Sequence, residues 1–440
     1  MEPRLLPYAE RQAPRYTSYP SASYFGPEVD AAVHRTWLRA LPADASLSLY
    51  IYVPYCKRIC WYCGCNTNAA HPGDTADFTE TVLKEIDLVA AAAGSHCVDE
   101  IHWGGGTPNI LSARQFKQIL HHLDFWFDLA QPLAHSVEID PRSLSEDLAT
   151  TYAACGVNRA SLGVQTFASH VQHVIGRDQP FDQVAHAVSL LRSVGVSHIS
   201  FDLMYGLPGQ SLLDVLETIE LAVRLKPDRI ALFEYSHVPW LKRRQRVIDE
   251  TTLPNARDRY DHALAARRAL LKRGYVAIGM DHFAKPDDPL ALATAGGALH
   301  RSLQGYAASA PGAIIGFGPS AISTTPQGYV QNLSGVGAWR RAIGAERLAS
   351  ARGHALTAED ERRRWLIERL MCDFAVNLQP LGGRGAFMHE LDLLSPLAAD
   401  GLVVINDDQL VIPEAMRPFC PLVAQAFDAY QGGARHPSAA

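Results

Sequence analysis

Apolar and polar positions between residues 47 and 236 alternate between two patterns, and the alternation repeats six times. Short runs rich in β-branched and aromatic residues, typical of buried strands, are followed by segments with apolar residues at helical spacing. The predicted strands are Leu47–Val53, Val98–Trp103, Ser136–Asp140, Arg159–Gln165, His198–Tyr205 and Arg229–Ser236. Three helices are expected to begin at a serine with a capping partner three residues later: Ser112 with Gln115, Ser143 with Glu146, and Ser211 with Asp214.

This regular repetition predicts an α/β fold in which parallel strands are joined by right-handed crossovers. Six units are too few for a closed eight-stranded barrel, so we favour an open, partial (βα)6 barrel, with a doubly wound sheet as the alternative. In both folds ligands bind at the carboxyl ends of the strands. Glu138, Gln165 and Asp202 lie at or near such ends. They are therefore expected to share one site with the cysteines that follow the first strand.

Beyond residue 250 the pattern becomes mostly helical. The predicted elements are helices at Asp258–Arg273 and Glu359–Cys372, short strands near Val276–Gly279 and Ala313–Phe317, and a hairpin over residues 402–412. We divide the chain into an N-terminal segment 1–45, a barrel with an extension 46–340, and a mostly helical, winged-helix-like C-terminal domain 341–440. The last nine residues are expected to be frayed.

Composition and charge exclude several classes of protein. Hydrophobic residues make up 48% of the chain, which is too many for a disordered protein. Forty basic and 46 acidic side chains give a net charge of −6, so the chain lacks a general basic field for nucleic acid. No apolar run approaches the ~20 residues of a membrane helix, and the N-terminus has no apolar signal sequence. We expect a cytoplasmic protein that binds neither membrane nor nucleic acid.

Four of the eight cysteines, Cys56, Cys60, Cys63 and Cys65, fall within ten residues. In a reducing compartment such a group is more often a metal or redox site than a disulfide framework. The C-x3-C-x2-C spacing supplies three thiolates on one short loop, which favours an iron–sulfur cluster with one iron left open for a small chelating molecule. Zinc is the alternative, but structural zinc usually needs a second ligand pair, and none follows at a suitable place.

The tripod, with Tyr62 before its third cysteine, resembles the signature of radical S-adenosylmethionine (SAM) enzymes. Cys65 and five further motifs narrow the resemblance to the oxygen-independent coproporphyrinogen III dehydrogenase (oxidase) family. These motifs are RYTSYP at 15–20, HWGGGTP at 102–108, VEIDPR at 137–142, DLMYGLPGQ at 202–210 and GMDHFAKPDD at 279–288. The resemblance covers the chain from residue 15 to about residue 430.

The resemblance implies a [4Fe–4S] cluster and two SAM molecules. Cys56, Cys60 and Cys63 would ligate the cluster, whose open iron would be chelated by the first SAM. Expected contacts to this first SAM are Tyr50, Glu138 and Ile322, while Tyr62, Gln165, Arg177, Asp202 and Ser236 are expected to hold the second. Gly105 would face one SAM, and Gly106 and Thr107 the other. The match at Ser236 is loose, because the family pattern has alanine there.

The implied activity is that of a radical SAM oxidoreductase in haem biosynthesis. It would convert two propionates of coproporphyrinogen III to vinyl groups without oxygen, and it would need a reductant such as flavodoxin or ferredoxin. We expect a monomer. Three alternatives stay open: a haem chaperone on the same scaffold, a radical SAM methyltransferase or anaerobic haem-degrading enzyme, and a non-enzymatic zinc-binding protein. Cys65 and the RYTSYP motif argue against the chaperone.

A few residues have more than one interpretation. The basic run at 242–246 could bind propionates, but a solvated helix face is the simpler explanation. Arg15 and Tyr16 belong to the N-terminal segment, which is expected to cover the site. His282 is expected to be a hydrogen-bonded structural residue, and Cys65 is either a structural thiol or a catalytic group. Leu303 stands where the family pattern has an aromatic residue, which leaves the orientation of the substrate open.

Overall fold

All six predicted strands are present in the computed structural model, which describes residues 2–11 and 13–430. The predicted frayed tail lies outside the described residues. We number the strands β1 (Leu47–Val53), β2 (Cys97–Gly105), β3 (Asp128–Ile139), β4 (Arg159–Gln165), β5 (His198–Tyr205) and β6 (Arg229–Glu234). Each pairs in parallel with the strand before it, so the order in the sheet follows the order in the chain.

Helices connect these strands in the predicted alternation. They are α1 (Asp74–Ala93), α2 (Ala113–Trp126), α3 (Glu146–Ala154), α4 (Phe181–Ser193), α5 (Leu212–Arg224) and α6 (Ala256–Lys272), with a short extra helix at Ser169–Val174. The capping boxes at Ser112 and Ser211 are confirmed. The one at Ser143 is wrong, because residues 141–143 form a separate 3-10 turn that Asp140 caps. Helix α3 therefore begins two residues later than predicted, with Ser145 as its cap.

The sheet extends beyond the six strands on both sides and stays open, as the partial-barrel prediction requires. Ala313–Phe317 pairs in parallel with β1, and it is followed outward by the antiparallel strands Ile322–Thr325, Gly328–Asn332 and Ser350–Ala355. Beside β6 lie His282–Ala284 and Val276–Ile278, both antiparallel. The order from β1 to β6 contains no reversal, whereas a doubly wound sheet reverses at a switch point. The doubly wound alternative is therefore wrong.

The C-terminal part contains the predicted hairpin as strands Val404–Asn406 and Gln409–Val411. A third strand, Ala375–Asn377, pairs with it and was not predicted. The main helices here are Val336–Gly344, Ala358–Asp373, Met388–Ala399 and Cys420–Gln425. The smaller helical and strand elements of the chain are Leu6–Ala9, Ala31–Arg39, Pro289–Ala295, the hairpin His300–Ser302 with Gly305–Ala307, and the pair Tyr55–Cys56 with Asn68–Ala69.

Two large apolar cores are present. One lies between the barrel strands and their helices, and it includes the fully buried Trp103 and Phe201. The other joins the C-terminal helices and strands to N-terminal residues such as Leu5 and Tyr19. The division at residues 45 and 340 stays a prediction. No helix among the described residues has the length and hydropathy needed to cross a membrane.

Candidate active site

The loop that carries the cysteines leaves the carboxyl end of β1 and folds back on itself. Cys56 lies in a two-residue strand that pairs with Asn68–Ala69. The N–H of Cys63 donates to the carbonyl of Cys60 at 3.3 Å, which makes a tight turn. The N–H of Trp61 donates to the carbonyl of Ile175 at 3.0 Å and so ties the loop to the connection after β4. The loop therefore has a defined shape through its own backbone contacts.

The sulfur of Cys56 lies between two hydroxyl groups. Thr107 Oγ1 donates to it at 3.1 Å, and Thr67 Oγ1 is 3.2 Å away. Burial raises the pKa of the Cys56 thiol above its ordinary value. Thr107, predicted as a SAM contact, thus places its side chain against one of the three cysteines.

Two guanidinium groups reach the sulfur of Cys60. Arg177 Nη1 donates at 3.5 Å and Arg142 Nη2 at 3.7 Å. Asp140 pairs with both, at 2.6 Å from Arg142 Nη2 and 3.6 Å from Arg177 Nη2. Among the described residues the buried Nε of Arg177 has no hydrogen-bond partner. A buried guanidinium with an N–H that has no partner can donate to an anionic ligand such as a carboxylate.

Gln165 lies next to Arg177, as the predicted second SAM site requires. A Cβ atom on Gly163 would come within 3.1 Å of both Gln165 Nε2 and Arg177 Nη2. Gln165 itself ends β4 with a φ of 67°, a left-handed conformation that turns the chain there. Glycine at position 163 therefore keeps open the space that these two side chains share.

Cys63 and Cys65 interact directly. The N–H of Cys65 donates to Cys63 Sγ at 3.4 Å. The hydrogen bond from the Cys65 side chain lowers the pKa of Cys63 to about 6. The same contact raises the pKa of Cys65 well above its ordinary value. Whether Cys65 is structural or catalytic stays open.

In the part of the chain that the structure describes, no three His, Cys, Asp or Glu side chains form a group suited to one metal ion. An iron–sulfur cube does not need such a group, because each of its thiolate ligands binds a different iron atom. The donor set is also entirely sulfur on one loop, which suits iron and sulfide. The cysteine loop therefore fits a cluster by the chemistry of its donors.

A second group of residues surrounds Glu138 near the end of β3. The N–H of Gly105 donates to Glu138 Oε2 at 3.2 Å, and His102 Nε2 is 3.1 Å from Glu138 Oε1. A Cβ atom on Gly104 would lie 2.7 Å from Glu138 Oε1 and 2.9 Å from the hydroxyl of Tyr50. Glycine is thus required for the backbone of β2 to approach these side chains. The result is a cradle with an acceptor group that suits ribose hydroxyls.

Tyr50 lies in this cradle, and Ile322 begins the second strand out from β1, beyond Ala313–Phe317. The Tyr50 ring stacks on His102 with ring centroids 5.4 Å apart. Gly316 pairs with Tyr50 in the sheet, and a Cβ atom on Gly316 would lie 2.9 Å from the Ile322 carbonyl oxygen. Burial lowers the pKa of His102, but the hydrogen bond and charge of Glu138 outweigh it and raise the pKa overall. His102 was not predicted as a site residue.

Asp202 places a second carboxyl group in the barrel. Ser161 Oγ donates to Asp202 Oδ1 at 3.3 Å. Burial, with a smaller contribution from the charge of Glu138, raises the pKa of Asp202 to about 6. Asp202 can therefore gain or lose a proton near neutral pH.

Tyr62 and Ser236 are brought together by Gln245, whose Nε2 donates to their carbonyl oxygens at 2.8 and 3.1 Å. Gln245 belongs to the basic run, which forms a 3-10 helix at Arg243–Val247. The solvated-face interpretation is wrong for its inner side, because Arg244 Nη2 donates to the Thr67 carbonyl at 3.0 Å. The helix packs on the cysteine loop because these two side chains hydrogen-bond backbone carbonyls there.

The N-terminal segment reaches the carboxyl end of β6, and its role as a cover of the site stays a prediction. Arg15 Nη2 donates to the carbonyl of Glu234 at 3.1 Å. Arg301 holds the segment from the other side by donating to the carbonyl oxygens of Arg15 and Tyr16. His282 makes the expected hydrogen bond, since its Nδ1 is 2.7 Å from Asp281 Oδ1, and its structural role stays a prediction.

Leu303 lines a cavity of about 290 Å³ between this segment and the helix Ala358–Asp373. The cavity is also lined by Tyr16 and Tyr19 of the RYTSYP motif. The effect of a leucine instead of an aromatic residue on substrate orientation stays open.

Comparison with known proteins decides the family. Residues 50–222 match the Radical SAM superfamily. An oxygen-independent coproporphyrinogen III oxidase of Bradyrhizobium diazoefficiens is 44% identical over 430 residues, which cover 96% of each chain. This chain belongs to the oxygen-independent coproporphyrinogen III oxidase family.

Other members of this family agree. The oxygen-independent coproporphyrinogen III oxidase of Paracoccus denitrificans is 38% identical over 437 residues, 98% of this chain and 97% of that one. The structure of the coproporphyrinogen III oxidase HemN from Escherichia coli, described as a radical SAM enzyme, has a TM-score of 0.90 and 33% identity over 94% of this chain and 97% of that chain. The resemblance and the partial radical SAM barrel are confirmed, and the protein is a radical SAM oxidoreductase.

The sequence analysis did not predict several residues of the site, and only some of them could have been found from a motif or a periodic pattern. His102 and Arg142 stand inside motifs of the oxidase family, and the period of two along β2 already places His102 and Gly104 on one face. Thr67 and Gln245 gave no signal, because only the folding of two loops brings them to the cysteines. The cofactor role of each predicted site residue stays a prediction.

Proposed function

We propose that this protein converts coproporphyrinogen III to protoporphyrinogen IX without oxygen, by oxidative decarboxylation of two propionates in haem biosynthesis. The observation that carries the proposal is 44% identity, over 96% of both chains, to an oxidase named for this substrate. The named relatives do not favour the alternatives of a haem chaperone, a methyltransferase or a haem-degrading enzyme. The zinc-binding alternative lacks a second ligand pair.

The residues of the site fit the cofactors that the family implies. Cys56, Cys60 and Cys63 would hold a [4Fe–4S] cluster. The two proposed SAM sites comprise Tyr50, Glu138 and Ile322 for the first, Tyr62, Gln165, Arg177, Asp202 and Ser236 for the second, and Gly105, Gly106 and Thr107 between them. When bound, the cluster and SAM supply one-electron chemistry that can remove a hydrogen atom from an unactivated carbon.

The chain's own residues bind, orient and shield these groups. Glu138 and the N–H of Gly105 define the cradle, and Gly104 allows the close approach of the backbone. Arg177 offers a buried guanidinium to a carboxylate. Asp202 can hold or release a proton near pH 6. The N-terminal segment contacts the end of β6 through Arg15. There it would exclude water from the site and so limit the side reactions of a reactive radical.

We also propose that the protein works as a cytoplasmic monomer with a one-electron reductant such as flavodoxin or ferredoxin. The need for a reductant follows from the proposed chemistry, since each cleavage of SAM consumes one electron.

The proposal is tested by incubating the anaerobically purified, reconstituted protein with coproporphyrinogen III, SAM and a reductant. Mass spectrometry should show two vinyl groups in place of two propionates, together with methionine and 5′-deoxyadenosine. Formation of S-adenosylhomocysteine or of an opened tetrapyrrole would contradict the proposal and favour a methyltransferase or a haem-degrading enzyme. Protein that stays free of iron and sulfide after reconstitution would contradict the cluster itself.

A further inference from the structure

A depression of about 310 Å³ lies on the surface beside the cysteine loop. Lys57 and Arg58, the two residues that follow Cys56, line it together with Asp140, Arg142, Ser143, Gly176, Asp178 and Gln183. Nothing in the catalytic roles proposed above uses Lys57 or Arg58. The depression therefore needs an explanation of its own.

The depression is positively charged on a protein with a net charge of −6. Lys57 and Arg58 are exposed, and neither has a hydrogen bond or ion pair with another described residue. Asp140, which also lines the depression, is compensated by two guanidinium groups. The remaining carboxylate, Asp178, is 3.7 Å from His173 Nδ1. An acidic partner would be attracted here and repelled by much of the remaining surface.

The depression also adjoins the sulfur of Cys60. Arg142 lines the depression and places Nη2 3.7 Å from Cys60 Sγ. Trp61 is 39% exposed, and its ring packs over Gly176, where a Cβ atom would come within 3.2 Å of it. Exposed tryptophan and arginine side chains are common at the centre of protein interfaces. A partner seated here would thus approach the cluster ligand through a single layer of side chains.

We propose that this depression is the docking surface for an acidic protein that carries single electrons, such as a flavodoxin or ferredoxin. The carrier gives up one electron and the cluster gains it, on the Cys60 side, and no bond forms between the proteins. This inference rests on the proposed function, because it requires a cluster that is reduced from outside.

The test uses the full chain with its cluster reconstituted, and it compares two double charge reversals. One is Lys57→Glu with Arg58→Glu. The matched control is Arg268→Glu with Lys272→Glu, two exposed residues near the carboxyl end of α6, at the opposite end of the barrel. Reduction of the cluster by reduced flavodoxin is followed by stopped-flow absorbance at several salt concentrations. Reduction by photoreduced deazariboflavin, a small uncharged donor, is measured in parallel.

The first variant should be reduced by flavodoxin about tenfold more slowly at low ionic strength, and its rate should lose most of its salt dependence. Its reduction by deazariboflavin should match that of the wild type, and the control should match the wild type with both donors. Equal flavodoxin rates for the two variants would overturn the proposal. A raised KM for coproporphyrinogen III with deazariboflavin as donor would also overturn it, by assigning the depression to the substrate.

Because the rate is measured on the cluster itself, this experiment is independent of the product. A wild-type protein that accepts electrons from flavodoxin but forms no vinyl groups would contradict the proposed function. The comparison of the two charge reversals would still decide where the carrier binds.

Discussion

The sulfur atoms of Cys56, Cys60 and Cys63 lie in three different surroundings. Cys56 is flanked by two hydroxyls, Cys60 by two guanidinium groups and Cys63 by a backbone N–H. Hydrogen bonds and positive charges at the sulfurs of a cluster stabilise its more negative, reduced form. We therefore expect the Cys60 corner to have the largest influence on the reduction potential.

Replacing Arg142 should make the cluster harder to reduce. Arg142→Gln removes one positive charge 3.7 Å from Cys60 Sγ, so the reduction potential should become more negative, while Arg142→Lys should retain part of the effect. Potentiometric titration followed by electron paramagnetic resonance measures this directly. Arg58→Gln is the matched control, because it removes a nearby charge that does not contact the sulfur. An equal shift in both variants would show that general charge, and not the contact, sets the potential.

Cys60→Ala should abolish cluster assembly, because two thiolates on this loop leave a second iron without a protein ligand. The measurement is iron and sulfide content after anaerobic reconstitution, together with the brown colour. Cys97→Ala, which removes an exposed thiol at the first residue of β2, should keep the full iron and sulfide content. A full cluster in Cys60→Ala protein would reject the proposed tripod.

At the scale of single residues, the sequence was informative where the spacing of residues along the chain is enough to predict their chemical role. Three cysteines within eight residues indicate a tripod whatever the fold. Arg142 and Thr67 could not be assigned to particular sulfurs, because their contacts depend on how two loops fold against each other.

At the scale of elements, strand bounds followed the hydrophobic pattern closely for β1, β4 and β5 and poorly for β3. The first half of β3 mixes apolar residues with Asp128, Gln131 and Pro132, and none of its residues is buried, so it has no continuous apolar run to detect. Its pairing with β2 shifts register between Val98 and Glu100, which leaves several residues of β3 unpaired. A bulge of this kind interrupts the alternation on which the prediction depends. The failed capping box at Ser143 has a similar origin, since a proline turn takes its place.

The attachment of α1 to the strands beside β1 depends on one buried carboxyl group. Glu85 accepts hydrogen bonds from the N–H of Gly318 at 2.7 Å, from Asn332 Nδ2 at 2.8 Å and from Trp339 Nε1 at 3.0 Å. Burial raises the pKa of Glu85 to about 7, although these donors oppose it. The folded protein therefore keeps a proton on Glu85 between about pH 4.5 and pH 7 that the unfolded chain has released, so stability falls as the pH rises through this window.

Glu85→Gln should remove this pH dependence. The glutamine replaces one acceptor oxygen by an NH2 group, which would face one of the N–H groups that donate to Glu85. The variant should therefore be less stable than the wild type at pH 5 by about 1–3 kcal/mol. The difference in stability between the variant and the wild type should be smaller at pH 8, because there the wild type is destabilised by an ionised, buried Glu85. Thermal unfolding at both pH values measures it. Glu80→Gln, on the exposed side of the same helix, should show no such trend. A constant gap across pH would contradict the assignment to Glu85.

At the scale of the whole molecule, the two ends of the described chain meet. Tyr16 donates to Asp428 Oδ2 at 3.0 Å, and the N–H of Ala429 donates to the hydroxyl of Tyr19 at 3.1 Å. The rings of Tyr19 and Tyr430 lie edge to face, 6.0 Å apart. The N-terminal segment, which reaches the end of β6, is thus secured by residues from the other end of the described chain. The sequence did not predict these contacts, because contacts of such long range leave no local pattern, and the role of the segment as a cover stays a prediction.

Ending the chain at Phe427 should loosen the N-terminal segment. Two hydrogen bonds worth about 1 kcal/mol each are lost, so trypsin should cut at Arg15 about tenfold faster or more. Limited proteolysis followed by mass spectrometry measures the rate. A chain ending at Tyr430, which keeps all three contacts, is the control. If both truncations are cut at the wild-type rate, these contacts do not hold the segment.

The meeting of the two ends also sets an order of events during synthesis. The cysteine loop is translated long before Asp428, Ala429 and Tyr430, the residues that secure the N-terminal segment. A nascent chain can therefore expose its thiolates to an iron–sulfur carrier while these residues are still to be made, and its N-terminal segment can be secured only afterwards.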